Sequence, residues 1–327
     1  MARTNPYRPF TPDPDQMARA PAVSGNAING LGETEFRRPR MVYWAPDPDD
    51  IPHGEMQRWF YTVDKSAPAM VAAQEDRARR IASVSLPEIA PERVTRSPDA
   101  WLDALQAFRA EADVDMIGSA PLDLDWLYEG AETGFSRVIM LGVQHDHARI
   151  SHAPGIEAGA EVITQYGRAM AGAVRVAGWL RRQGWDAEPQ TGPMTGKLAM
   201  IPAAIACGFG ELGKHGSLIN AEFGASFRLA AVLTDAPIAD TPPREFGVDA
   251  FCASCRICED ACPPEAISAG KRTVRGVRKW YVDFDRCLPF FNQTHGCAIC
   301  IAVCPWSRPG VGLNLAAKLK RRRKRLG

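Results

Sequence analysis

No stretch of this 327-residue chain reaches the run of about 18 apolar residues that a membrane helix needs. The opening segment, MARTNPYRPFTPDPDQ, lacks a basic region followed by an apolar one, so no secretory leader is expected. Arg37-Arg38 reads as an ordinary surface pair rather than a twin-arginine signal, because Pro39 and the acidic residues Asp47, Asp49 and Asp50 stand where an apolar segment would have to be. These absences set the expectation of a cytoplasmic protein with no membrane partner. An excess of one charge is missing too: 39 Lys and Arg face 38 Asp and Glu, which provides no general attraction for nucleic acid. Histidine is scarce at six. His145, His147 and His152 share a loop but show no ligand spacing on a helix, so they read as a polar loop rather than a metal site.

What the chain does have is enough apolar residue, 46%, for a substantial core and a second small module. Residues 1–70 are rich in proline and acidic groups and should wrap over a core with little regular structure. Residues 101–112 (WLDALQAFRAEA) predict a surface helix started by Ser97-Pro98-Asp99, and residues 136–143 (SRVIMLGV) a buried strand. From residue 157 to 183, Ile163, Tyr166, Met170, Val174, Ala177 and Leu180 recur at helical spacing, and Gly184 supplies the stop. Residues 198–206 and 227–233 read as further buried elements, separated by a glycine-rich stretch. The fold class is therefore α+β. Its divisions are expected at 1–110 (wrapping segment), 111–245 (core), 246–312 (cysteine module) and 313–327 (basic tail).

Eight of the nine cysteines fall between residues 252 and 304, a grouping that suits metal rather than a disulfide framework. The first run, Cys252-x2-Cys255-x2-Cys258-x3-Cys262-Pro263, is the bacterial ferredoxin spacing, whose fourth cysteine serves the other cluster. The second run ends alike, Cys297-x2-Cys300-x3-Cys304-Pro305, but its first cysteine is set back to Cys287, an insertion expected to bend the loop without removing a ligand. Crossed ligation assigns one 4Fe-4S cluster to Cys252, Cys255, Cys258 and Cys304, and a second to Cys262, Cys287, Cys297 and Cys300. Zinc needs neither the third cysteine nor the proline. Cys207, in an apolar stretch, reads as a buried packing thiol. Two clusters form a one-electron wire, which a far shorter chain could supply. The residues upstream call for another role. The final KLKRRRKRLG, with seven basic groups, reads first as a solvated end, second as a dock for an acidic redox partner and third as nucleic-acid binding.

Ahead of the cysteines run Gly208-Phe209-Gly210-Glu211-Leu212-Gly213-Lys214-His215-Gly216-Ser217-Leu218-Ile219, then Glu222-Phe223-Gly224, Arg228, Thr234-Asp235-Ala236-Pro237-Ile238 and Phe246-Gly247-Val248. This ordered set resembles the corrinoid-dependent reductive dehalogenases, in particular their soluble catabolic branch, and more distantly the epoxyqueuosine reductases. The likeness covers roughly residues 135–310. Cys207, Phe209 and Ala225-Ser226 depart from the pattern. The epoxyqueuosine reductases would carry an Asp-Tyr-His motif on the preceding helix, where this chain has Gln165-Tyr166-Gly167.

The resemblance implies a nitroreductase-like corrinoid-binding core followed by the two-cluster ferredoxin module. It implies cobalamin held base-off without a protein lower ligand, and no Asp-x-His-x-x-Gly motif occurs. Gly208, Gly210, Gly213, Lys214, Gly216, Ser217 and Ile219 would be cofactor contacts, since glycines let backbone approach a large flat ligand. Tyr166 and Arg228 fall at the family's catalytic tyrosine and neighbouring basic residue. Taken without the family, Tyr166 could equally be a core tyrosine, and Arg228, followed by an apolar run, needs a partner. A cation beside a phenol favours release of its proton, which suits a general acid protonating carbon as halide leaves. The expected substrate is an aromatic or phenolic organohalide, and the expected donor a separate ferredoxin or flavodoxin with its reductase. Two readings stay open beside this one: reduction of an epoxide or ether with the same cofactors, and electron transfer or corrinoid reactivation without catalysis. His295, Trp179, Trp185 and Trp280 read as structural.

Overall fold

The computed structural model describes residues 5–192 and 196–326. Expectations that touch residues 1–4, 193–195 and 327 lie outside the described residues. At the centre is a four-stranded sheet in the spatial order Met116–Pro121, Arg137–Gln144, Phe227–Thr234, Ala187–Gln190, with every neighbouring pair antiparallel. Side chains alternate between its faces. Ile139, Leu141 and Val143 join Ala230 and Val232 in one core, while Val138 and Met140 join Ala231 and Leu233 in another. Helix Ile156–Arg181 covers the first face and helix Met200–Ala206 the second. Burial on both faces is why these two strands read as continuous apolar runs.

The long helix and both central strands lie where the periodicity predicts them, and Gly184, at φ +79°, turns the chain after the helix. The helix expected over 101–112 is Pro98–Phe108. Ser97 caps it as anticipated, but Asp113 adopts φ +58°, and the turn it makes carries Ala112 and Val114 into the core instead of extending the helix. The N-terminal segment has more helix than expected. Gly54–Phe60 is helical, and the 15-residue helix Pro68–Ala82 packs along the long helix. Gly167 permits that approach, because a Cβ there would lie 2.8 Å from Arg77 Cα.

Residues 5–60 wrap chiefly over the cysteine module. Arg8 donates to the carbonyls of Glu259 and Cys262, Asn26 to the carboxylate of Asp283, and the Tyr43 hydroxyl to Asn292 Oδ1. Partners some 250 residues apart leave no local signal. The insertion before Cys297 is helical over much of its length, not a bent loop: Phe284–Asn292 starts before Cys287, and the chain then turns through Gly296, Cys297 and Ala298, all at positive φ. Cys297 and Ala298 carry a backbone cost of about 1–3 kcal/mol each in that region, which the surrounding structure has to offset.

The hairpin Glu211–Leu212 with Leu218–Ile219 joins core to module, and Glu211 accepts hydrogen bonds from the backbone N–H groups of Phe246, Gly247 and Val248 at the start of helix Val248–Ser254. Gly210 makes this crossing possible at φ +142°, where an added Cβ would lie 2.0 Å from the Ile219 carbonyl oxygen. Gly210→Ala is therefore expected to destabilise the chain by roughly 3 kcal/mol or more, read as a lower urea midpoint with unchanged slope.

Candidate active site

Strand alternation sets the site. Arg228 pairs with Val143 across the sheet, and so points from the central strand toward the long helix. Tyr166 projects from that helix to meet it: Arg228 Nη1 donates to Tyr166 Oη at 3.3 Å, and the guanidinium carbon lies 4.5 Å from the ring centroid. The partner Arg228 needs is thus an aromatic ring and a hydroxyl, and its Nε is buried with no hydrogen-bond partner. With its oxygen occupied by Arg228, the Tyr166 O–H is free to donate elsewhere.

Both side chains line a cavity of about 430 Å3, within the range that takes cofactors or small ligands. The module closes its far side through Phe291, Thr294, His295 and Gly296, and the N-terminal segment adds Trp44 and Phe60. Phe60 and Phe291 stack with ring centroids 5.5 Å apart, and Trp44 meets Phe60 edge-on. The ionisable lining residues are Lys65, Arg77, Arg228, His295 and the two tyrosines Tyr61 and Tyr166, with no Asp or Glu among them. His295, read from sequence as structural, therefore belongs to the cavity wall; its Nδ1 is buried without a partner. The aromatic wall escaped sequence reading because its members come from segments more than 200 residues apart.

Beneath Arg228 lies His145, 3% exposed, its Nδ1 3.2 Å from Ser226 Oγ. Burial, and then the charge of Arg228, hold this imidazole well below its usual range, so it stays neutral. The same loop is braced by buried Glu161, which accepts from the Asp146 N–H and from Gln165 Nε2 and pairs with Arg149 at 3.3 Å. This ties the residue before Tyr166 in place. His145 is thus a buried support, unlike the polar loop residue expected.

The structure does not bring the glycine run to the cavity. Gly208, Gly210 and Gly213 do serve close approach: an added Cβ would meet the Pro242 carbonyl oxygen at Gly208 and Ile219 at Gly210 and Gly213. Gly216 faces Val282, Ser217 is half-buried, and Ile219 packs in the core that contains Cys252 and Cys304. Lys214, 2% exposed, donates to the Cys255 carbonyl at 2.8 Å and lies 3.5 Å from Glu259.

Lys214 and His215 instead border a small cavity with Cys252, Cys255, Cys258 and Cys304, the four residues of the first crossed set. Burial pushes the thiols of Cys258 and Cys304 up to about 12, and each is further raised by Cys252 and Cys255. Burial likewise pushes Cys287 up to about 12, with Cys297 and Cys262 as its cysteine neighbours, and Cys300 is raised by burial and then by Cys297, Cys287, Cys262 and, last, Cys258 of the first set. The two groups of four adjoin, since Cys258 shares an apolar cluster with Cys262, Cys287 and Cys300. Among the described residues no group of three or more His, Cys, Asp or Glu is arranged for a single metal ion. A buried ammonium beside four cysteines fits a centre that carries negative charge, as thiolate-bound iron–sulfur does. Cys207 is a packing thiol, 1% exposed, pushed up to about 12 by burial.

Residues 251–307 match the family described as 4Fe-4S dicluster domain. A tetrachloroethene reductive dehalogenase of Desulfitobacterium hafniense is 34% identical over 209 residues, covering 60% of this chain and 37% of that protein. An epoxyqueuosine reductase of Lactococcus garvieae is 29% identical over 136 residues, covering 37% of this chain and 34% of its own length. The structure of the catabolic reductive dehalogenase NpRdhA in complex with 3-bromo-4-hydroxybenzoic acid superposes with a TM-score of 0.70 at 21% identity, over 88% of this chain and 44% of that one. The chain spans just over a third of the length of the curated relatives it matches. The likeness to reductive dehalogenases carried by the ordered motifs is thus found in sequence and, as a fold, in structure. No helix among the described residues is long and apolar enough to cross a membrane.

Proposed function

We propose that this relative of the reductive dehalogenases is itself a corrinoid- and iron–sulfur-dependent reductase that replaces halogen by hydrogen on an aromatic or phenolic organohalide. The observation that carries the reading is the meeting of Tyr166 and Arg228 in one cavity whose far wall is the cysteine module. An electron-transfer protein has no use for such a cavity.

The partnerless nitrogens Arg228 Nε and His295 Nδ1 beside the cavity fit a ligand with polar edges. Residues of the cavity wall would hold a corrinoid, and the two cysteine sets would each hold one cluster. When bound, the corrinoid supplies a low-valent cobalt able to reduce a carbon–halogen bond. The chain's own residues do the rest. Phe60, Phe291 and Trp44 shelter an aryl ring from water. Arg228 holds the Tyr166 oxygen and leaves its proton directed into the cavity. Tyr166 delivers that proton to carbon while halide departs, so that two electrons and one proton convert the organohalide to the arene and free halide. Cationic walls without a carboxylate favour a phenolate-bearing substrate and the departing anion.

The reading is tested on protein reconstituted without oxygen and offered cobalamin. About one cobalt for eight iron, followed by halide release from a halophenol, is the expected result. Iron without cobalt overturns it. Cobalt with no halide release, but with reduction of an epoxide, favours the epoxyqueuosine-reductase-like alternative that the second relative raises.

A further inference from the structure

Helix Val311–Leu326 carries seven basic residues, Lys318 and the run from Lys320 to Arg325, and no acidic one. Its apolar stripe is already used. Leu315, Ala316 and Leu319 pack into the core that contains Cys252, Cys304 and Trp306, and a Cβ at Gly247 would lie 3.3 Å from Leu319 Cβ. Arg323, on the same inner side, pairs with Glu245 at 3.3 Å and fixes the far end. The helical repeat then turns Lys318, Arg321, Lys324 and Arg325 outward, and all four are exposed.

Neither local stability nor chance explains this face well. Cations favour the last turn of a helix, but Lys318 with Arg322, Lys320 with Lys324 and Arg321 with Arg325 are like charges four residues apart, each pair disfavouring the helix. The rest of the chain is net acidic, so the molecule has one basic end, and the helix that carries it packs at Leu315, Ala316 and Leu319 into the core that contains Cys252 and Cys304 of the first cysteine set. A helix is about 10–12 Å across. A partner seated on the outer face beside Lys318 is therefore about one helix away from that core.

We propose that this helix is the docking surface for an acidic, low-potential electron-carrier protein, a reading that rests on the proposed reductase function. Each docking passes one electron from the reduced carrier, which is oxidised, to one cluster, which is reduced. Two such events supply one turnover. Charge complementarity selects the occupant: an acidic carrier offsets the like-charge repulsion on the helix and is steered to the basic end from a distance. A bilayer is disfavoured because the apolar face that would enter it is buried in the module.

The test uses the full chain with its clusters in place, mixed with reduced flavodoxin. The second-order rate of cluster bleaching should fall steeply with salt. Arg321→Glu/Lys324→Glu/Arg325→Glu should lower it at least about tenfold and weaken flavodoxin binding in parallel. The Gln triple variant, which keeps the helix neutral at these positions, should show a smaller loss. Photoreduced deazaflavin, a small reductant with no docking requirement, should reduce wild type and variants alike. An unchanged flavodoxin rate and salt dependence overturns the proposal. So does a variant that keeps that rate and instead loses binding to phosphatidylglycerol vesicles or to a single-stranded oligonucleotide. Halide release driven by a chemical reductant alone is scored separately, so a failure of the reductase reading appears there and a failure of docking in the carrier rates.

Discussion

Tyr166→Phe is expected to lower halide release by about 100- to 10,000-fold, the scale of a lost general acid, while iron content and cobalamin binding stay at wild-type values. The substitution removes one oxygen and leaves the ring beneath the Arg228 guanidinium, so the cation–ring contact at 4.5 Å survives. The hydrogen bond from Arg228 Nη1 does not. The guanidinium, whose Nε already lacks a partner, is then left with less compensation, and a modest loss of stability of about 1 kcal/mol should accompany the loss of activity. The measurement is single-turnover halide release with a chemical reductant, together with a cobalt and iron assay. Activity retained at a tenth of wild type or more would remove Tyr166 as the proton donor.

Pairs of cysteine variants give the second large effect. Under crossed ligation Cys252→Ala/Cys304→Ala strips two ligands from one cluster, so iron should fall from about eight to about four per chain. Cys252→Ala/Cys262→Ala strips one from each, and both clusters should be weakened or lost. Ligation in sequence order predicts the reverse. The spatial grouping favours the crossed pattern: Cys304 feels Cys252 and Cys255, whereas Cys262 is a neighbour of Cys287 and Cys300. Iron analysis with the spectrum of the remaining cluster decides it. Loss of either cluster should also stop reduction through the protein carrier.

The cysteine module was legible because its signal is local: ligand spacing and a following proline occupy a few turns of chain. The dicluster module could be placed from the sequence, despite the long gap after Cys287. The central strands and the long helix were legible for a related reason, since burial imposes a period on neighbouring residues. The family resemblance singled out Tyr166 and Arg228, and strand alternation is what makes them meet.

Several features could not be read in this way. Phe60, Phe291, Trp44 and His295 share a wall only after residues 5–60 have wrapped across the module, and the contacts holding them there join residues far apart in sequence. The glycine run shows the limit from the other side. Glycines at 208, 210 and 213 announce that something comes close, but a sequence cannot name the neighbours, which include Pro242 and Ile219 of this chain. Likewise the basic end reads as a solvated tail, and only the structure shows the apolar stripe of its helix packed into the core that contains Cys252 and Cys304. The sequence by itself determined the metal chemistry and the secondary structure of the core, because ligand spacing and burial periodicity act over short separations. Only the tertiary structure decided which surfaces line the cavity and what lies over the cysteines, because those depend on contacts between segments that no local pattern records.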